Sequence, residues 1–411
     1  SVGRDWSLML GAALSLSLGY NATLVTLGAT LLGAAAGMAG TFLYLRKNAL
    51  ISDAISHATL PGLSIAFLVA VAFGWDGRQL STLLGGSALS AALGLYFVNW
   101  LTRETRLTQD TAIGCILSVF FAFGVVLLTI IQVIPAGRKA GLESFLLGST
   151  AGMVYSDALL ILILSILTGL VLFAFLRPIK LVTFDATYSE TLGISVRRVD
   201  TIILLVTLVV TVLGMKIVGL ILIVALLIIP AVSARFWSEK TEVILITSTA
   251  CGALSGYIGS AISAIAAGLP TGPIIVLCAF GFFLISFLFA PKRGVLAVAL
   301  NHYQFQKIVH LTQGLLSLAL GQPIYEPKTR RLLQRLGYIR ADGVVTEVGK
   351  SLAAKTLLNE KRWSYWQETL SESDQFDGQV VFSLLDIETK LTQDQIILID
   401  QGLAIQKGEQ L

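Results

Sequence analysis

Charge is scarce in this sequence. Of 411 residues, 13% are Asp, Glu, Lys or Arg and 55% are hydrophobic. Soluble domains carry about a quarter charged residues, so the composition excludes an ordinary soluble globular protein and implies several membrane crossings. Cysteine is scarce too. Cys115, Cys251 and Cys278 fall in apolar runs without motif spacing, which excludes a disulfide framework or a thiolate cluster and leaves small core residues. No G-x-x-x-x-G-K-[ST] occurs, so this chain has no phosphate-binding loop of that kind. Buried acidic residues are too few for a typical proton-coupled carrier. Trp6–Leu18 lacks the basic leader of a cleavable signal peptide. The net charge of +4 is small and gives no case for nucleic-acid binding.

Half of the charge lies in the 120 residues after Pro291, which divides the chain into a membrane part, 1–293, and a polar tail, 294–411. Apolar runs of about 20 residues, enough to cross a bilayer as helix, lie near 22–45, 52–75, 81–101, 111–134, 157–176, 199–214, 217–236, 242–267 and 272–290. The run 199–214 is short. Gly214-Met215-Lys216 separates it from the next, so the two are expected to form a tight helical hairpin. Trp6–Leu18 is short for a span. Pro230 is expected to kink or end its helix, and Leu269–Pro273 to form a tight external turn. Gly33, Gly37 and Gly40 suit close helix packing.

Lys and Arg set the orientation. One set of loops carries twelve of them: Arg46, Lys47, Arg103, Arg106, Arg177, Lys180, Arg197, Arg198, Arg235, Lys240, Lys292 and Arg293. The alternate set carries four: Arg78, Arg138, Lys139 and Lys216. The first set, and the tail with it, is therefore expected in the cytoplasm.

Arg46–Gly62 (RKNALISDAISHATLPG) holds the residues most costly to place in a membrane. Asp53 and His57 are four apart, on one face of a helix. A carboxylate and an imidazole so placed can grip one divalent cation, and an ionisable residue in a membrane segment marks a functional site. The bland alternatives are that Asp53 caps a helix and His57 is a satisfied core histidine. Ser52, Ser56 or backbone near Pro61 could complete an ion's shell. A broken or re-entrant helix start would place Asp53 deeper.

Thr183–Asp200 (TFDATYSETLGISVRRVD) is long and polar between two spans. Asp185, Glu190, Arg197 and Arg198 give it a mixed-charge surface, and Gly193 offers a helix stop. A short helix on the cytoplasmic face would dock a soluble partner; an ordinary solvated loop is the alternative.

The stretches RKNALISDAISHATLPGLSIAFL (46–68), TQDTAIGCILSVFFAFGVVLL (108–128), 183–200, GLILIVALLIIPAVSAR (219–235) and LPTGPIIVL (269–277) resemble, in order, the permease subunit of bacterial ATP-binding-cassette importers for manganese, zinc or iron. The resemblance covers nearly all of 20–293. It implies an all-α polytopic permease of type II-like fold in the bacterial inner membrane. It also implies a second permease subunit, cytoplasmic ATPase subunits that hydrolyse the ATP, and an extracytoplasmic metal-binding lipoprotein. By this resemblance Asp53 and His57 lie on the metal path, and residues 183–198, with Asp185, Glu190, Gly193, Arg197 and Arg198, form the helix that couples to the ATPase. No permanently bound cofactor is implied. Carboxylate oxygen with imidazole nitrogen suits Mn²⁺, Fe²⁺ or Zn²⁺.

In the tail, His302–Leu320 and Pro327–Leu336 read as helices, and Arg340–Val348 as a β-hairpin turning at Asp342-Gly343. Helix, helix, wing resembles a diphtheria-toxin-repressor-type winged-helix metalloregulator and implies a small cytoplasmic α+β domain. Where that family supplies ligands, this chain has Val381, Leu385 and Thr389; Glu388 alone remains. His302 and His310 read as helix-surface residues. Arg330, Arg331, Arg335 and Arg340 form a modest basic patch suited to acidic protein or lipid headgroups; no nucleic acid is expected. The rival readings are a permease for haem or siderophore chelates, which the Asp53–His57 pair disfavours, and a membrane-tethered metal-responsive regulator, which the missing ligands disfavour.

Overall fold

In the computed structural model the first unit is built around α1, Tyr20–Leu45, a helix rich in glycine and alanine. Residues 11–17, 19–75, 79–135, 155–219, 222–265, 269–369, 386–389 and 391–408 are described. The chain divides into two compact units, Ser1–Ala297 and Val298–Leu411. After α1 come α2 (Ala49–Ala72), α3 (Leu80–Glu104), α4 (Gln109–Val133), α5 (Tyr155–Ala174), α6 (Leu176–Phe184), α7 (Ala186–Thr191) and α8 (Val196–Ile217). Then follow α9 (Ile223–Arg235), α10 (Thr241–Ile265) and α11 (Thr271–Phe289). Among the described residues eight helices are long and apolar enough to cross a membrane.

Small residues set how closely α1 meets its neighbours. A Cβ on Gly33 would overlap the Gly252 carbonyl of α10, and one on Gly40 would overlap the Leu227 carbonyl of α9. Ser248 of α10 donates to the Gly37 carbonyl at 2.8 Å. Lipid gives no hydrophobic drive for helices to associate, so close packing and such interhelical bonds hold them together.

Helix α8 joins two cores. Val199, Ile203, Val206, Val210, Leu213 and Ile217 pack with Leu32, Phe42, Ile161 and Leu227. Leu204, Leu208, Val212 and Met215 pack with Ile55, Leu63, Ala91 and Ile131. Steps of three and four put each set on its own face.

Two expectations are corrected here. The helix expected to stop near residue 214 continues to Ile217, and at Gly214 the Ile223 side chain fills the space a side chain there would need. The expected partner span 217–236 is instead an irregular buried piece at Val218-Gly219, with Gly219 at φ +94°, followed by the 13-residue α9. Helix α9 packs on α1, α10 and α11 rather than lying along α8 as a hairpin partner. Irregular backbone at membrane depth is tolerated where protein covers it. Pro230 lies within α9, which runs on to Arg235. Helix α2 is unbroken from Ala49, with no re-entrant start. Of Trp6–Leu18, residues 6–10 and 18 lie outside the described residues.

The second unit contains most of α12 (Val295–Ala319), then α13 (Pro327–Arg335), α14 (Glu347–Thr369), a 3-10 turn at Ile387–Thr389 and α15 (Gln393–Gly408). Leu315, Leu333, Ile339 and Ala353 form one small core. Trp363, Trp366, Ile387 and Ile399 form another. The expected wing is reduced to a single antiparallel bridge, Ile339 with Val345. Gly343 turns it at φ +89°, and Arg340 N–H donates to the Val344 carbonyl at 2.9 Å. Helix α14 begins at Glu347, which leaves too little chain to extend the bridge into strands. The α+β class expected for the tail is thus not shown: the described residues there are helical apart from this bridge.

Candidate functional site

Asp53 and His57 lie about 6 and 12 Å along α2 from its first residue, at 1.5 Å per residue. His57 Nε2 stands 3.3 Å from Asp53 Oδ1; the imidazole is 17% exposed and the carboxylate 39%. Two donors each about 2.1 Å from one ion, at right angles, stand about 3 Å apart. The observed spacing therefore admits a cation between the side chains with little movement. Phe121 of α4 meets the ring edge-to-face at 4.8 Å and 82°, which fixes its plane. His57 Nδ1 is buried without a hydrogen-bond partner among the described residues. A buried imidazole nitrogen without a partner is uncommon in a satisfied core histidine, so the ring has unmet bonding capacity. Of the other suggested donors, Ser52 is buried and its hydroxyl donates to the Ala49 carbonyl at 2.6 Å. Ser56 is buried as well.

The loop of mixed charge folds in two pieces. Asp185 caps α7, its carboxylate accepting from Tyr188 N–H at 2.8 Å. Gly193, at φ +78°, ends the piece, and its N–H donates to the Glu190 carbonyl at 3.0 Å. Arg197 and Arg198 then fall in the first turn of α8, which Ser195 caps. The expected single helix over 185–198 is therefore a six-residue helix, a glycine turn and a helix start. Asp185, Glu190, Gly193, Arg197 and Arg198 are all exposed, as are Phe184, Tyr188 and Leu192. The surface combines apolar anchors with charges of both signs.

Arg46 is the residue whose role the sequence did not reveal. Its guanidinium grips the Asp200 carboxylate with two bonds, at 2.9 and 2.8 Å, and donates to the Val182 carbonyl at 2.9 Å. Charge-assisted bidentate pairs are the stronger and more directional ones. This one ties the corner before α2 to α6 and α8, and so to both ends of the exposed loop. Counted only as a loop cation, Arg46 gave no signal of a partner 154 residues away.

Of the tail residues compared with a regulator's ligands, Glu388 and Thr389 are among the described residues. Val381 and Leu385 lie outside the described residues. The Thr389 hydroxyl donates to the Asp386 carbonyl. Glu388 accepts from Arg362, which also makes two bonds to Asp400, and the Asp400 carboxylate holds that guanidinium above its ordinary pKa. His310 Nδ1 lies 3.0 Å from the Thr329 hydroxyl and 3.4 Å from Glu326 Oε2.

The model of the ABC 3 transport family matches residues 20–290. The chain is 38% identical over 298 residues to the manganese transport system membrane protein MntC of Bacillus subtilis, covering 72% of this chain and 67% of that protein. It is 39% identical over 277 residues to the zinc transport system membrane protein TroC of Treponema pallidum, covering 67% and 91%. Among solved structures, PsaBC from Streptococcus pneumoniae in complex with Fab superposes with a TM-score of 0.61 at 27% identity, over 71% of this chain and 99% of that one.

Proposed function

The chain belongs to the ABC 3 transport family, and from that premise we propose how it moves its cargo. It is the permease subunit of an ABC importer for metal ions, with manganese or zinc the cargo, as the names of its relatives indicate. Asp53 and His57 form the ion's stepping point in the membrane. The observation that carries this reading is the 3.3 Å carboxylate–imidazole pair beside a buried, unsatisfied ring nitrogen. Two side chains are too few for a tight octahedral or tetrahedral shell, which suits a site that must release its ion. A bulky chelate would carry its own ligands and need no such pair.

The partners follow from the family: an ATPase on the cytoplasmic side, a metal-binding lipoprotein outside, and a second permease subunit. The exposed Phe184–Leu192 surface is the proposed ATPase contact. The Arg46–Asp200 clamp then links that contact to the helix bearing the metal pair. Measuring ATP hydrolysis by the reconstituted complex, ion by ion, tests the cargo. Mn²⁺ or Zn²⁺ delivered by the lipoprotein should raise the rate several-fold, about 1 kcal/mol of barrier, with Fe²⁺ the comparison ion. Stimulation by haem or a siderophore chelate but by no bare ion would reject the reading.

The tail is proposed as a cytoplasmic interaction domain rather than a metal sensor. Thr389 is no donor of the imidazole or thiolate kind, and Glu388 is engaged by Arg362. Deleting residues 294–411 should change the ATPase rate or the stability of the complex and leave metal-dependent promoter activity untouched. A promoter response lost with the tail would count against it.

A further inference from the structure

An open groove of about 980 Å³ lies within the second unit, between α12 and α13. Lys307 lines one wall, with His302 and Tyr303; Lys328, Arg331 and Arg335 line the other. On α13 the three cations are spaced by three and four residues, hence on one face. No carboxylate is among the lining residues described. None of the four Lys and Arg side chains has an ion-pair partner among the described residues. Glu326 is held against His310, which also lines the groove. Four unpaired cations converging on one concavity repel each other, and an anion seated there removes that cost.

We propose that this groove binds the phosphate headgroup of an anionic phospholipid. Charge complementarity calls for a phosphate ester, and two further observations favour lipid as its source. Ala299, which lines the groove, is ten residues beyond Phe289, the end of α11. At about 3.5 Å per residue the chain holds it within about 35 Å of that span's end in any disposition. Beside the groove, α12 exposes Val298 and Leu300, apolar side chains of the kind that enter the headgroup–acyl boundary. Duplex nucleic acid is the poorer fit, because these cations line a concave groove, whereas reading a duplex takes a helix that projects into its groove. The inference rests on the chain spanning a membrane and not on the metal path, so it stands or falls separately from transport.

The test uses the full chain in nanodiscs of phosphatidylcholine with or without phosphatidylglycerol, and follows acylation of Lys307 and Lys328 by mass spectrometry. Lys355 and Lys361 serve as internal references. Each basic side chain near an anionic surface contributes roughly fivefold in binding. Phosphatidylglycerol should therefore slow labelling of Lys307 and Lys328 several-fold, and raised salt should reverse the effect. Arg331→Gln with Arg335→Gln should restore fast labelling of Lys307 at unchanged helicity. Equal labelling in the two lipids overturns the proposal. So does equal protection in phosphatidylcholine discs by inorganic phosphate, which would mean a soluble ligand, or by duplex DNA, which would mean a nucleic-acid surface.

Discussion

Asp53→Ala and His57→Ala are each expected to reduce metal uptake to background while the permease still assembles with its ATPase. The magnitude follows from how few ligands there are. Losing even an outer-shell partner of a metal ligand typically costs about 10- to 100-fold in affinity. Losing one of two side-chain donors should cost on the order of 100-fold or more. The fold should survive, because Asp53 is 39% exposed and its carboxylate pairs with His57 on the same helix. Asp53→Asn separates two roles for the carboxylate. If Asp53 holds the ion, the amide, which carries no charge, should fail almost as badly as alanine. If Asp53 only orients the imidazole through Nε2, leaving Nδ1 for the ion, the amide oxygen can still accept that bond and much of the uptake should persist. Radiolabelled manganese or zinc uptake into proteoliposomes reads all three variants. Wild-type uptake by both alanine variants would falsify the assignment.

What the sequence made legible and what it did not divide along a physical line. Long spans were visible because about 20 apolar residues in a row have few other uses. The pair at 53 and 57 was visible because helical spacing is local. Helix α9 was misread because burial in protein, not length, lets Val218-Gly219 stay irregular, and a hydropathy pattern does not distinguish apolar residues facing lipid from those facing other helices. The Ile223 side chain packed over Gly214 is a contact between elements, which no local pattern shows. Arg46–Asp200 is of the same kind. In the tail the Asp342-Gly343 turn was read from its residues, but whether a turn grows into strands depends on the chain beyond it, and here α14 takes over at Glu347.

The second large effect is expected at the exposed loop. Gly193→Pro should leave ATP hydrolysis running while ions transported per ATP fall steeply. Gly193 sits at φ +78°, whereas proline requires φ near −65° and has no N–H to give the Glu190 carbonyl. A mismatch of about 3 kcal/mol depopulates the observed turn on the order of 100-fold. Gly193→Ala keeps the N–H and meets only the left-handed strain of about 1–2 kcal/mol, so it should be milder. Glu190→Arg changes charge on the exposed surface without touching the turn, and should weaken ATPase docking with little effect on folding. Asp200→Asn tests the link inward. It removes the charge that Arg46 grips while keeping the loop's own bonds, so docking should persist and transport should fall. The ratio of ions moved to ATP hydrolysed, measured in one preparation, separates these outcomes. If Gly193→Pro keeps the wild-type ratio, the loop is an ordinary solvated connection and the coupling role is lost.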